Sequence, residues 1–292
     1  MYEAHDEGEI KMIIVGVDGS AAGLEAAAWA AREAALRGSS LRVAHAMPKW
    51  ASEKPGHGPY MDVAKWMREG AESVVGEALD RIGEQEGDVA VDSALLPGDA
   101  RIALMKAAEE AELLVVGNHG LGGFRGLLVG SVALGVAGRA ACPVVVVRTL
   151  PANDRRKIVV GVDGSPANAA AVEFAFAEAS LHDVELHAVH VWRGLVAGGG
   201  FEAAASVQEE DGLRAMLTEA LAEAARRHPD VKVTEHVVNG HPVEVIKEAS
   251  EGAGLLVVGS RGRGRLAGLV LGSVGNALLE HADCPVAVIP PR

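Results

Sequence analysis

"VVGNHGLGGFRGLLVGS" runs from Val115 to Ser131, and "VVGSRGRGRLAGLVLGS" runs from Val257 to Ser273. A glycine inside a helix or strand costs about 0.5–1 kcal/mol relative to alanine. Windows this rich in glycine therefore need a reason. Either the backbone turns where a Cβ forbids it, or a partner approaches it closely. Gly117, Gly120, Gly122 and Gly130 recur as Gly259, Gly262, Gly264 and Gly272, and a merely flexible connection has no need to keep its spacing twice.

The windows belong to a longer duplication, the first thing to look for in a chain of this length. "IIVGVDGSAA" (Ile13–Ala22) returns as "IVVGVDGSPA" (Ile158–Ala167), "RVAHAM" (Arg42–Met47) is echoed by "HAVHVW" (His187–Trp192), and "ACPVVVV" (Ala141–Val147) returns as "DCPVAVI" (Asp283–Ile289). Asp18 and Asp163 stand 145 positions apart, as do His45 and His190, whereas Gly117 and Gly259 stand 142 apart. A net three-residue difference thus lies between the second strand and the glycine loop. The chain is expected to hold two domains, 1–150 and 155–292, with "TLPANDRRK" (Thr149–Lys157) as a short polar linker.

Each repeat alternates apolar runs with helical patterns, the signature of a parallel α/β sheet with right-handed crossovers. The continuous apolar run at 12–17 fits a strand covered on both faces. Ser20 is placed to cap the helix that follows and to be matched by Ser165, with Pro166 at the first helical position. That first helix ends near Gly38. Strands follow at 41–47 and 89–96, with helices around 61–85, 98–110 and 131–140. "ELLVVG" is the fourth strand and "PVVVVR" the fifth. The fold expected is two tandem, doubly wound, five-stranded parallel sheets of Rossmann-like order 3-2-1-4-5, packed as a pseudo-two-fold pair. The apolar fifth strands, Val144–Val147 and Val286–Ile289, are edges that need cover, and pairing with each other supplies it.

Composition narrows the partners. Aromatic residues make up 3% of the chain and the formal charge is −13, so neither base-stacking platforms nor a basic footprint for nucleic acid is available. No stretch reaches the roughly 18 uninterrupted apolar residues of a membrane span, and the acidic "MYEAHDEGEIK" is unlike a secretion signal. With only Cys142 and Cys284, both expected as small apolar core residues, a cytoplasmic setting is the expectation. Trp50 and Trp66 lie in the connection after the second strand and are expected to pack beneath it.

In an open parallel sheet, ligands bind beyond the carboxyl ends of strands where the order reverses. With order 3-2-1-4-5, that places Asp18 opposite Gly117, and Asp163 opposite Gly259. Glycines that free backbone N–H groups, followed by a helix opening at Ser131, suit phosphate. His119 and Arg261 hold equivalent positions and can donate to it; Arg125, Arg263 and Arg265 are expected to be mobile loop charges. The dipeptide Gly-Lys is absent, which excludes a P-loop. Gly262-x-Gly264-x-x-Ala267 meets a loose dinucleotide fingerprint, but Arg125 breaks it in the first repeat.

These residues resemble the ATP-binding class of universal stress proteins, which carry G-x2-G-x9-G-[ST] after the fourth strand. Gly117-x2-Gly120-x9-Gly130-Ser131 and Gly259-x2-Gly262-x9-Gly272-Ser273 both fit, as do "GVDGS" and the pairs His45-Ala46 and His190-Val191. The tandem arrangement is similar to that of actinobacterial two-domain members. The resemblance implies one ATP, with Mg2+, in each repeat. Adenine and ribose contacts then fall on Val17, Asp18 and Ala46, and on Val162, Asp163 and Val191. Phosphate contacts fall on Gly117, His119, Gly120, Gly130, Ser131 and Val132, and on Gly259, Arg261, Gly262, Gly272, Ser273 and Val274. The flanking Gly16, Val116, Gly161 and Val258 complete the two expected sites. Where some members place an asparagine five residues after the last loop glycine, this chain has Gly135 and Ala277, so one phosphate contact is absent or passes through water.

Catalysis on ATP asks for a metal carboxylate, a base positioned on water and a charge clamp. Each motif offers one carboxylate and no evident base. The expectation is a nucleotide-dependent regulatory module of the stress response rather than an enzyme. The alternative is a slow ATP-hydrolysing or adenylyl-transferring enzyme of a related class. The family also implies a homodimer and a downstream regulatory partner, neither fixed by any motif.

Overall fold

Residues 12–16 and 113–116 are apolar without alternation, and both become central strands whose side chains are buried on either face. The structure, a computed structural model, describes residues 11–52, 60–84, 89–121, 129–148, 157–193, 207–262 and 271–291. The first repeat runs β1 (Met12–Gly16), α1 (Ala21–Arg37), β2 (Ser40–Met47), α2 (Lys49–Ser52), α3 (Met61–Gly83), β3 (Val91–Pro97), α4 (Ala100–Ala107), β4 (Leu113–Gly117), α5 (Ser131–Val136) and β5 (Val144–Val147). The second runs β6 (Lys157–Gly161), α6 (Ala169–Leu181), β7 (Glu185–Trp192), α7 (Val207–Arg227), β8 (Val233–Asn239), α8 (Pro242–Ala249), β9 (Leu255–Gly259), α9 (Ser273–His281) and β10 (Val286–Ile289).

Local chemistry sets the ends of α1. Ser20 Oγ accepts the Gly23 N–H at 3.1 Å, and Gly38 adopts φ 64°, turning its N–H back to the carbonyls of Ala34 and Ala35. Such a left-handed end is glycine's usual place. The matching start in the second repeat differs from expectation. Pro166–Asn168 forms a 3-10 turn before α6, and Ser165 Oγ is buried without a hydrogen-bond partner instead of capping the helix. Asn168 takes over the bracing: its Nδ2 donates to the Gly161 carbonyl at 3.2 Å, and its Oδ1 accepts the Asp163 N–H at 3.3 Å.

Within each repeat the strand order is 3-2-1-4-5, all parallel, as the repeat pattern predicted. The two sheets do not remain separate. β5 pairs antiparallel with β10, Val145 opposite Ala287, and the result is one ten-stranded sheet, β3-β2-β1-β4-β5-β10-β9-β6-β7-β8. One apolar layer, including Trp29, Phe176, Val145 and Ala287, lies beneath α1, α3, α6 and α7; the other lies beneath α4, α5, α8 and α9. Both layers draw on both repeats, so burial is continuous across the seam.

Beside that seam, α1 and α6 meet through charged residues set in alanine-rich helices. Glu33 is 0% and Glu178 1% exposed. Arg37 Nε lies 2.8 Å from Glu33 Oε1, its other end pairs with Glu178 Oε1, and its guanidinium sits over the Phe174 ring. Burial pushes the Glu178 carboxyl up, and the neighbouring Glu33 charge adds to this. The same burial acts on Glu33 but is outweighed there by His182 and Arg37, which hold that carboxyl low.

Cys142 and Cys284 are free and buried, and desolvation pushes both thiols up to about 11. They pack as core residues, as expected. Trp50 and Trp66 do not: they are 51% and 73% exposed, because α2 and the start of α3 turn Ala51 and Ala64 inward instead. No helix among the described residues is long and apolar enough to cross a membrane.

Candidate functional site

The reversal in strand order falls between β1 and β4, and a cavity of about 500 Å³ opens there. Pockets for small ligands run about 300–1,000 Å³. Every residue expected in the first site lines it: Gly16, Val17 and Asp18 from the end of β1, Ala46 from β2, Val116 and Gly117 from β4, then His119, Gly120, Gly130, Ser131 and Val132. Ala100 and Leu104 of α4 complete one wall, with Ala44, His45 and Val129. No motif in the sequence of α4 assigns it to the site, because nothing in an isolated helix says which crevice it covers.

Two hydrogen bonds recur in both repeats and shape the crevice floor. His45 Nδ1 donates to the Val17 carbonyl at 2.8 Å, and His190 Nδ1 donates to the Val162 carbonyl at 2.7 Å. Each imidazole thus pins the strand end beside the aspartate and fixes which nitrogen carries the proton. The loop bases are closed alike. The Gly130 N–H donates to the Asn118 carbonyl at 2.6 Å, and the Gly272 N–H donates to the Ser260 carbonyl at 2.9 Å. The Asn118 side-chain amide and Ser260 Oγ, at equivalent positions, are buried and make no hydrogen bond.

Asp18 is already engaged. Its Oδ1 accepts the N–H and hydroxyl of Ser20 at 3.1 and 2.6 Å, and its Oδ2 accepts the Leu121 N–H at 3.0 Å. The carboxylate therefore acts as turn-former and loop tie at once. This explains the first glycine at the loop's tip: a Cβ on Gly120 would fall 2.0 Å from Asp18 Oδ2. A Cβ on Gly117 would fall 2.7 Å from the Ala22 backbone, where α1 packs against the end of β4. Close packing of the protein on itself accounts for these two positions.

In the second repeat, Gly161, Val162 and Asp163 end β6, Val191 lies on β7, Val258 and Gly259 end β9, and Ser273 and Val274 open α9. The Asp163 carboxylate accepts the Ser165 N–H at 2.8 Å, and a Cβ on Gly262 would lie 3.1 Å from Asp163 Oδ2. Arg261 is exposed at the loop entrance. Where the first repeat has Ala44 and Ala46, the second has the bulkier Val189 and Val191. Arg125, Arg263 and Arg265 lie outside the described residues.

Comparison with known proteins agrees with this architecture. The model of the Universal stress protein family matches residues 9–148 and again 154–290. A universal stress protein of Mycolicibacterium smegmatis is 38% identical over 288 residues, covering 96% of this chain and 97% of that protein. One from Mycobacterium tuberculosis is 36% identical over 293 residues, covering 94% and 95%. The crystal structure of a universal stress protein from Archaeoglobus fulgidus superposes with a TM-score of 0.70 at 21% identity, covering 97% of each chain, and so shares the fold. The chain belongs to the universal stress protein family, in its tandem form.

Proposed function

We propose that the chain is a nucleotide-binding regulatory module that takes ATP in the first crevice and, more weakly, in the second. The observation that carries this reading is the first cavity. One side is apolar, walled by Val17, Ala44, Ala46, Leu104 and Val116, and suits a purine. The other is lined by the two described ends of the glycine loop, His119, Gly120, Gly130 and Ser131, which suits phosphate. His119 stands among the phosphate-side residues as a donor. Asp18 is the carboxylate of the cavity and fits a ribose hydroxyl or a Mg2+ hydration shell. Mg2+ would supply charge neutralisation on the phosphates and would be held by them and by water. Domains at 1–150 and 155–292, each with one site, follow from the same reading.

A regulatory role rather than an enzymatic one rests on the side chains of the crevice. Beside Asp18, tied to Ser20 and Leu121, the lining among the described residues offers no second carboxylate. A carboxylate for the metal and a separate base for water together need such a group. The reading places the protein in the cytoplasm as a stress-response component, acting through a downstream partner and as a homodimer.

Identification of nucleotides released by denaturing the purified chain tests the binding. ATP at one to two per chain is expected. Protein that releases none and binds no added ATP overturns the proposal. ADP or AMP production above about 1 s⁻¹, a modest enzyme rate, favours the alternative of a hydrolytic or adenylyl-transferring enzyme.

A further inference from the structure

Away from both crevices, one cluster of metal-type ligands stands out among the described residues: Glu33, Glu178 and His182, where α1 meets α6. The duplication makes its origin plain. Glu33 and Glu178 are counterparts 145 positions apart, and Arg37 and His182 are counterparts at the same offset. Each helix thus presents an i, i+4 pair, a spacing that puts both heads on one face. The first repeat offers Glu-x3-Arg and the second Glu-x3-His. The pseudo-two-fold between them brings all four heads together.

Two carboxylates at 0% and 1% exposure face one guanidinium and one imidazole in a dry site. Buried charges are found paired or ligating metal, because desolvating an isolated one is prohibitive. Arg37 occupies the Oε1 atom of both carboxylates. Both Oε2 atoms turn instead toward His182 Nε2, at 3.0 Å for Glu33 and 3.6 Å for Glu178. The second distance is too long for a hydrogen bond, and Glu178 Oε2 is a buried oxygen with no hydrogen-bond partner. It is aimed into the cluster.

Two ligands at zinc distances of 2.0–2.2 Å, seen at a tetrahedral angle, lie about 3.3–3.5 Å apart. The two measured separations bracket that value, and the three ligand atoms all lie within 4.8 Å of one another. We propose that Glu33, Glu178 and His182 bind one divalent transition-metal ion of the zinc type at the junction of the two repeats. Three protein ligands leave a fourth position for water, as in open zinc sites. Arg37, on the far oxygens, orients both carboxylates as an outer-shell partner. His182 at 8% exposure and Arg37 at 18% place the cluster just beneath the surface, with a short entry path. The ion would join the repeats through side chains, in addition to the β5–β10 pairing. The proposal does not depend on what the crevices bind.

The test uses the full chain, stripped of metal by a chelator and freed of nucleotide. Zn2+ is titrated against a chromophoric competitor, and Co2+ binding is followed by its visible absorption. One ion per chain is expected, with the intense bands of four-coordinate Co2+. His182→Arg recreates the first repeat's own Glu-x3-Arg and removes the third ligand. It is expected to fold, to retain the wild-type far-UV circular dichroism, and to lose at least about tenfold in Zn2+ affinity, with no Co2+ bands. Glu178→Gln is expected to show the same loss. A folded wild-type chain that takes no Zn2+ from the competitor overturns the proposal and leaves a protonated His182 as the balancing charge. So does His182→Arg binding as tightly as wild type, which assigns any uptake to other histidines.

Discussion

Asp18 Oδ2 accepts the backbone N–H of Leu121 at 3.0 Å, so the carboxylate that ends β1 ties down the glycine loop that follows β4. Gly120 makes this approach possible, since a Cβ there would fall 2.0 Å from the same oxygen. Gly120→Ala must therefore push loop and carboxylate apart. It is expected to weaken nucleotide binding in the first crevice by at least about tenfold, about 1.4 kcal/mol. The second crevice is expected to keep its affinity. Stoichiometry by isothermal titration, falling by one site, checks it; equal loss at both crevices contradicts independent sites.

The two repeats also differ in side-chain bulk at an equivalent position. Ala46 in the first is Val191 in the second, and a methyl-scale change in an apolar pocket is worth about 1–3 kcal/mol. Val191→Ala is expected to raise the affinity of the second crevice by about tenfold, and Ala46→Val to lower that of the first by a similar factor. Titration with ATP reads both variants.

His190 is 3% exposed, and its Nδ1 holds the Val162 carbonyl at 2.7 Å. His190→Ala leaves that buried acceptor unpartnered, at a cost of about 1–3 kcal/mol. Urea denaturation is expected to show a lower midpoint with an unchanged slope.

The seam is more sensitive. Val145 and Ala287 face each other across β5 and β10, both 0% exposed. Val145→Asp inserts an unpaired charge there and is expected to destabilise the chain by about 3–5 kcal/mol. Calorimetry is expected to show a much lower unfolding temperature and separate transitions for the two repeats.

The strands were legible because the chemistry of a doubly covered strand is local: Ile13–Val15 and Leu113–Val116 have no alternation to misread. The first crevice was legible for a related reason, since topology alone brings Asp18 and Gly117 to one point once the order is 3-2-1-4-5. Ser165 misled because its role depends on a neighbour three residues on. Asn168, where the first repeat has Gly23, reaches back to brace Asp163 and displaces the cap. Trp50 and Trp66 misled because bulk argues for burial only where a surface exists to receive it. Glu33 and Glu178 passed unnoticed among alanines, as charged residues on a helix usually face water. Their shared 145-residue offset was the signal that could have found them, since both repeats keep a carboxylate in the same place.

The antiparallel register of β5 with β10 has a geometric consequence. Strands in one repeat run opposite to those in the other, so their carboxyl ends, and the crevices beyond them, open at opposite rims of a single sheet. A single ten-stranded sheet thus holds the two switch points apart, each facing away from the other.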